Sequence, residues 1–391
     1  MRAGGATRKT MSFDVAIVGA GPGGAAAAVA LAQQGVTNVA LLDREGFPRD
    51  KTCGSGLSPN ALKLIQSLGI GEQVKQLGYP INAVRIVTPG GKEIRISSDA
   101  AAVVLLRRHF DNLLVDRAQK LGVTLMTPFR AEKVIEEHGR VKGVRSFEGK
   151  EVLAKHVLFA DGAHSMFSQD TRPRRSISTL MGWWENFESA PNTLDMIFDK
   201  DVAPLYGWMF PETNERVNIG ICVDGQDESG EKSSRNLRAT FEGFLERHYG
   251  KRLATARQLG KWKGHPIVYT TWIGNMTRPG ALYLGEAARM THNATGEGIS
   301  QAMESGVFAA DAVTSVLKGG VFEEKAWGSY VQRHRRRFTG AFVAGHALRA
   351  VIDSPVLDNI ASVYNQPLVR KLVVKLLGSA LAGSAVNDRA A

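Results

Sequence analysis

A glycine-rich turn set between a strand and a helix restricts this chain more than any other feature. From Phe13 a short apolar run leads into Gly19-Ala20-Gly21-Pro22-Gly23-Gly24; an alanine-rich helical segment follows to about Gln34, then a second apolar run over 39–42. Gly19, Gly21 and Gly24 occupy the GxGxxG positions. The first permits the tight turn, the second lets a pyrophosphate approach the backbone, and the third lets helix and strand pack closely. The helix N-terminus adds N–H groups and a partial positive charge for phosphates. Asp43 stands 19 residues past Gly24, where a carboxylate accepts hydrogen bonds from adenosine ribose hydroxyls. Strand, turn, helix and spaced acid together predict a parallel βαβ unit that binds a dinucleotide. They do not separate NAD from FAD.

Further along, Ser58-Pro59 has N-cap and first-turn chemistry, with Leu62, Ile65 and Leu68 at helical spacing before Gly69. A helix is expected over 110–121, hairpin-like alternation to about Phe147, and a buried strand over 157–160. Between about 177 and 223 aromatic and β-branched runs predict a separate antiparallel sheet. Residues 231–248 read as a helix, 281–284 as a strand, and 298–317 as a helix after a glycine-rich turn. Everything beyond Ala326 reads as helical.

Two later segments decide between the dinucleotides. Val157-Leu158-Phe159-Ala160-Asp161-Gly162-Ala163-His164-Ser165 resembles the Asp-Gly motif of the para-hydroxybenzoate hydroxylase-like flavoproteins. Leu284-Gly285-Glu286-Ala287-Ala288, with Thr295-Gly296-Glu297-Gly298-Ile299, resembles their Gly-Asp motif and the start of the helix beside the isoalloxazine ring. The resemblance implies FAD, with a carboxylate on the ribityl chain and a helix N-terminus facing the flavin pyrimidine. Arg107 matches the family arginine near the flavin phosphate side. No second GxGxxG exists, so a nicotinamide donor would bind without its own Rossmann domain.

Two stretches narrow the resemblance to the geranylgeranyl reductase family. Pro48-Arg49-Asp50-Lys51-Thr52-Cys53-Gly54-Ser55-Gly56-Leu57-Ser58-Pro59 is similar to that family's cysteine-glycine segment. Ala203-Pro204-Leu205-Tyr206-Gly207-Trp208-Met209-Phe210-Pro211, with Asn218-Ile219-Gly220, is similar to its aromatic substrate-wall motif. The similarity runs in order from about residue 13 to 317. It implies an α/β fold: a Rossmann-type FAD-binding domain with an inserted antiparallel β-sheet substrate domain and a C-terminal helical segment. The expected map is a disordered tail over 1–12, FAD-binding parts at 13–75, 106–172 and 276–325, substrate-domain strands at 76–105, the substrate sheet at 173–275, and helices over 326–391.

The candidate cofactor contacts are Gly19, Gly21, Gly24, Asp43, Arg44, Cys53, Gly54, Arg107, Asp161, Gly162, Gly285, Glu286, Gly296, Gly298 and Ile299. Candidate catalytic residues are Cys53, Tyr206, Trp208, Phe210 and His292, and no metal is expected. Reducing an isolated isoprenoid alkene needs a hydride at one carbon and a proton at the other. Positive charge then builds in an apolar pocket, where aromatic faces stabilise a cation by about 0.5–2 kcal/mol. Tyr206, Trp208 and Phe210 alternate and so share one strand face, though core packing is the plain alternative. Cys53 is either near the reacting carbon or simply a small apolar residue. Trp183 and Trp184 are adjacent, so at most one lines that face.

Two departures stand out. Glu286 replaces the usual aspartate, one methylene longer. Arg289-Met290-Thr291-His292-Asn293-Ala294 stands where relatives have an apolar stretch with an Asn-Pro pair, leaving Asn293 at the proline position; His292 reads as a proton donor or as a solvent-facing loop histidine.

A net charge of +11 favours anionic ligands, but no aromatic platform accompanies the Arg333, Arg335, Arg336, Arg337 run, which reads as a solvated helix face; nucleic acid is not an expected partner. Two cysteines and no secretory signal fit a reducing cytoplasm. The segment 368–381 is amphipathic, with Arg370, Lys371 and Lys375 opposite an apolar face; it suits an anionic bilayer or a docked terminal helix. The leading expectation is reduction of a prenyl substrate's double bonds with electrons from NAD(P)H or a ferredoxin-like carrier. The alternatives are a flavin monooxygenase (hydroxylase or epoxidase before halogenase) and a flavin-bearing redox partner protein.

Overall fold

The computed structural model describes residues 11–168, 170, 175–226, 233, 235–270, 272–352, 354–364 and 366. Residues 1–10 of the expected tail and the amphipathic segment 368–381 lie outside the described residues. Helices are α1 (Pro22–Gln33), α2 (Pro59–Ser67), α3 (Gly71–Leu77), α4 (Arg107–Lys120), α5 (Leu237–Leu253), α6 (Ile299–Leu317), α7 (Glu323–Ile352) and α8 (Val356–Val363).

Among the described residues the strands form two sheets. In the first, Met11–Val18 lies in the middle, parallel to Val39–Leu42 on one side and to Glu151–Phe159 on the other. Ala281–Tyr283 and Thr124–Met126 extend it, also in parallel. The strand begins at Met11, two residues into the expected tail. Val15 to Val18 are buried because α1 covers one face and other elements the second, which is why the run is continuously apolar rather than alternating. The Asp43 carboxylate emerges at the carboxyl edge of this sheet.

Helices α1 and α6 approach backbone to backbone. A Cβ at Gly306 would fall 2.3 Å from the Gly23 carbonyl oxygen, and one at Gly23 would fall 3.1 Å from that of Ala302. The alanine-rich composition of α1 is therefore a packing requirement: Ala25 to Ala28 are wholly buried, and larger side chains would separate the helices.

The second sheet joins Gly56–Leu57, Tyr79–Val87 and Glu93–Val104 to Thr193–Ile197, Gly207–Pro211, Val217–Asp224, Arg175–Glu185 and Lys263–Tyr269. It is not purely antiparallel, as the sequence reading expects: Thr193–Ile197 pairs in parallel with Tyr79–Val87. That one parallel contact stitches the early strands to the later ones. The sheet's two faces have separate cores. Met209, Ile219 and Ile221 face Phe241, Phe244 and Tyr249 of α5. Tyr206, Trp208, Cys222 and the half-buried Phe210 face the opposite way, together with Leu348 and Ile352 of α7 and Leu357 and Ile360 of α8. Helix α5 starts at Leu237, six residues later than 231, where Asn236 accepts a hydrogen bond from Ala239 N.

Helix α7 belongs to both halves. Ala326, Trp327 and Tyr330 pack in the core of the first sheet, whereas Leu348 and Ile352 pack on the second sheet. At about 1.5 Å per residue its 30 residues span ~45 Å. The arginine run on this helix is only partly a solvated face: Arg333 pairs with Asp311 and Arg337 with Glu304, both on α6. No helix among the described residues is long and apolar enough to cross a membrane.

Candidate active site

The glycine turn leaves room in one place only. Gly19 has φ +99°, and a Cβ there would lie 2.4 Å from the Ala160 carbonyl oxygen; one at Gly24 would lie 1.9 Å from that of Gly19. At Gly21 the nearest atom would be Arg49 Nη2, 3.9 Å away. Two glycines are thus closed against protein and one opens outward. Helix α1 starts there with no side-chain cap, so its first N–H groups remain for phosphates. Asp43 Oδ2 accepts a hydrogen bond from Ala20 N at 2.8 Å and Oδ1 one from Glu45 N at 3.0 Å. The carboxylate therefore sets the turn. This cradle fits the adenosine and pyrophosphate of FAD.

Of the two arginines assigned to the cofactor, neither is the one at the turn. The Arg44 side chain is 64 % exposed beside Glu45. Arg107 is buried and donates to both Asp111 oxygens, at 2.7 and 2.8 Å. Burial alone would lower its pKa, but the Asp111 carboxylate and the Cys53 sulfur outweigh that and raise it. The guanidinium at the turn belongs to Arg49, 3.6 Å from Asp43 and 3.2 Å from Asp111. Sequence reasoning passed over it because nothing in the spacing shows a loop folding back onto the turn.

The cysteine-glycine segment and the aromatic strand meet. A Cβ at Gly54 would stand 3.2 Å from Phe210 Cδ2 and 3.3 Å from Trp208 Nε1, and one at Gly56 3.1 Å from Phe210 Cε2. Those glycines are what let the segment lie against the rings. Trp208 Nε1 donates to Asn218 Oδ1 at 2.7 Å, and Asn218 Nδ2 to the Gly182 carbonyl at 3.1 Å. A Cβ at Gly220 would lie 2.3 Å from Trp208 Cζ2, so the Asn218 and Gly220 positions form the seat of the indole. Cys53 Sγ accepts a hydrogen bond from Ser55 N at 3.3 Å. Trp183 lies on the Trp208 face and donates to Glu212, whereas Trp184 packs beside Phe241 on the other.

Tyr206 precedes the strand proper, and its hydroxyl donates to the Thr295 carbonyl at 2.5 Å. Burial pushes its pKa well up. Its proton holds the loop before α6. That helix, too, starts without a side-chain cap at Gly298. Glu286 is half-buried with a raised pKa, desolvation outweighing the pull of Lys51. Lys51 Nζ lies 2.7 Å from His265 Nε2, a contact that no sequence spacing announces. Asp161 and Gly162 follow the Glu151–Phe159 strand, and a Cβ at Gly162 would meet nothing within 4 Å, so this turn, like Gly21, faces open space.

His292 does not face solvent. Its ring is 3 % exposed. Nδ1 accepts from Ala294 N and Thr295 N at 3.3 and 3.2 Å, which leaves Nε2 to donate to the Ala341 carbonyl at 3.1 Å. Burial lowers its pKa. Both nitrogens are occupied by backbone, so the ring braces the loop and is not placed to deliver a proton.

An uncapped α1 over an open glycine, a carboxylate at the end of the second strand, and a second uncapped helix end tied by Tyr206 to a separate sheet define a chain with one Rossmann unit and an inserted second sheet. The chain belongs to the FAD binding domain family, whose model matches residues 12–341. It is 26 % identical over 390 residues to a digeranylgeranylglycerophospholipid reductase of Thermoplasma acidophilum, covering 95 % of this chain and 96 % of that one. A geranylgeranyl bacteriochlorophyll reductase-like protein of the same organism superposes with TM-score 0.76 at 23 % identity, over 94 % of this chain and 100 % of that one. A flavin-dependent brominase superposes with TM-score 0.78 at 20 % identity, over 95 % and 94 %. The resemblance to the geranylgeranyl reductase family is borne out, and the chain is an FAD-dependent oxidoreductase.

Proposed function

We propose that the protein reduces carbon–carbon double bonds in an isoprenoid chain, with NAD(P)H or a ferredoxin-like carrier as electron source. The observation that carries this reading is the contact of Gly54 and Gly56 with Trp208 and Phe210, which makes one wall from the two segments the geranylgeranyl reductase resemblance rests on. A relative that matches almost end to end is named for reducing a geranylgeranyl lipid.

The cofactor would be held by the α1 N-terminus, Asp43, Arg49, Asp161, Gly162 and Glu286, and when reduced it supplies the hydride. Trp208 and Phe210 exclude water and offer ring faces to developing positive charge. Asn218 fixes the indole, so the face is preorganised. The Cys53 thiol is the group we assign to hold the proton at Sγ; Arg107, which hydrogen-bonds that sulfur, accommodates the charge left behind. Tyr206 is assigned to the wall and the loop, since its hydrogen is bound to a carbonyl. Hydride and proton together add two hydrogens to the alkene.

The test is anaerobic incubation of the chemically reduced holoenzyme with a prenyl diphosphate, a diprenylglycerol phospholipid and a polyprenyl quinone. A product heavier by two hydrogens is expected from one class. No hydrogenated product there, together with substrate-dependent oxygen consumption and oxygen in the product in a parallel aerobic incubation, would replace this reading by the monooxygenase one.

A further inference from the structure

In the stretch 289–294, which departs from the family pattern, His292 and Asn293 both reach helix α7. His292 Nε2 donates to the Ala341 carbonyl at 3.1 Å, and Asn293 Nδ2 to that of Phe342 at 3.0 Å. Two turns further along α7, Arg349 Nη1 donates to the Asn293 carbonyl at 3.0 Å. The other arm of the same guanidinium donates to both carboxylate oxygens of Asp224, at the end of Val217–Asp224. Its plane lies over the Tyr269 ring, 5.7 Å from the centroid, and Tyr269 is bridged to Thr291. The fit is tight: a Cβ at Gly345 would fall 2.0 Å from Asn293 Oδ1 and 2.9 Å from His292 Cε1.

We infer that Arg349 is a positioning residue for the flavin: it ties the loop that leads into α6 to both the substrate sheet and helix α7, and so fixes where the uncapped N-terminus of α6 stands relative to the ring. An Asn-Pro pair stiffens a loop through its own backbone. A histidine and an asparagine in its place transfer that task to a distant helix, and an arginine with a planar fork is suited to hold three segments at once. Oriented N–H groups and the helix dipole stabilise the negative charge that appears on reduction, and the effect falls off within a turn. Loosening Arg349 therefore weakens binding of the reduced cofactor more than that of the oxidised one. This rests on FAD binding alone and not on the identity of the substrate.

The experiment compares wild type with Arg349→Lys, Arg349→Met and Asp224→Asn as holoenzymes. Thermal midpoint, FAD dissociation constant, visible flavin spectrum and midpoint potential are measured on each. The expected result is retained FAD with a perturbed spectrum. Selectivity between reduced and oxidised flavin falls by about tenfold, which for a two-electron couple is a potential lower by about 30 mV. Lysine should recover less than half of the loss, because it keeps the charge but not the fork. Variants that melt earlier yet keep the wild-type potential and spectrum would make Arg349 a structural brace and overturn the inference. Should Arg349→Met fail to fold, Arg349→Lys and Asp224→Asn decide it by the same readouts. A colourless wild type that takes up no FAD would overturn the cofactor assignment instead.

Discussion

Helices α1 and α6 both begin without a side-chain cap at a glycine, yet the two ends are built in opposite ways. The α1 end is made from one contiguous strand, turn and helix, closed by the Gly19 and Gly24 contacts. The α6 end is held by Tyr206 from the substrate sheet, by Ala341, Phe342 and Arg349 of α7, and by Asp224. A locally built end grips a cofactor in the same way whatever surrounds it. An end assembled from distant segments takes its position from the rest of the fold, so it is where neighbouring structure adjusts the chemistry.

The largest effect should fall on the local end. Gly24→Val places Cβ 1.9 Å from a backbone oxygen, and backbone cannot yield as a side chain does. We expect FAD affinity to fall by at least about 100-fold, near 3 kcal/mol, read as flavin content after purification and by titration. Gly21→Ala sharpens the contrast, since its Cβ meets no protein atom within 3.9 Å. Its thermal midpoint should match wild type while FAD affinity drops about tenfold; equal losses of fold and cofactor at both positions would refute the division of labour.

On the assembled end, Trp208→Phe removes the hydrogen bond to Asn218 and leaves a buried amide oxygen short of a donor. A cost of about 1–3 kcal/mol is expected in the urea midpoint, with about tenfold slower product formation and unchanged FAD content. Loss of flavin instead would place the indole in cofactor binding.

The smallest effect is a pH dependence confined to the α6–α7 contact. His334 is buried against Phe308 of α6, and burial lowers its pKa from 6.5 to about 4. Between those values the unfolded chain binds a proton that the folded one does not, so stability falls as pH falls from 6.5 towards 4. The slope is at most about 1.4 kcal/mol per pH unit. Replacing His334 by glutamine should flatten that part of a denaturation-versus-pH curve. An unchanged slope would assign the acid sensitivity to other groups.

The legible parts of the molecule are those whose cause is local. The GxGxxG turn and Asp43 announce themselves because each glycine answers to atoms a few residues away, or to the strand beside it. Ser58 was legible as a cap and is one, accepting from Ala61 N. The aromatic strand was legible as a face because alternation is a property of the backbone, and Trp183 and Trp184 part to opposite cores for the same reason. Arg49 was not legible at the turn because it is adjacent to Asp43 in space, whereas Arg44 is adjacent to it in sequence. Neither reading of His292, proton donor or solvent-facing loop residue, matches its buried, backbone-bound ring, for a similar reason: the loop looks exposed until a helix some 50 residues later covers it.

The dinucleotide unit, the order of the segments and the shared face of the aromatic strand were determined by sequence alone, since these follow from backbone periodicity and from residue spacing. Tertiary structure decided which guanidinium reaches the turn, that the Tyr206 hydroxyl donates a hydrogen bond to the Thr295 carbonyl, that the cysteine-glycine segment meets the aromatic strand, and that a helix spanning both cores holds the loop before α6. Those outcomes depend on which distant groups meet when the two sheets close together, and a hydrogen bond a few ångströms long leaves no period or spacing in the chain.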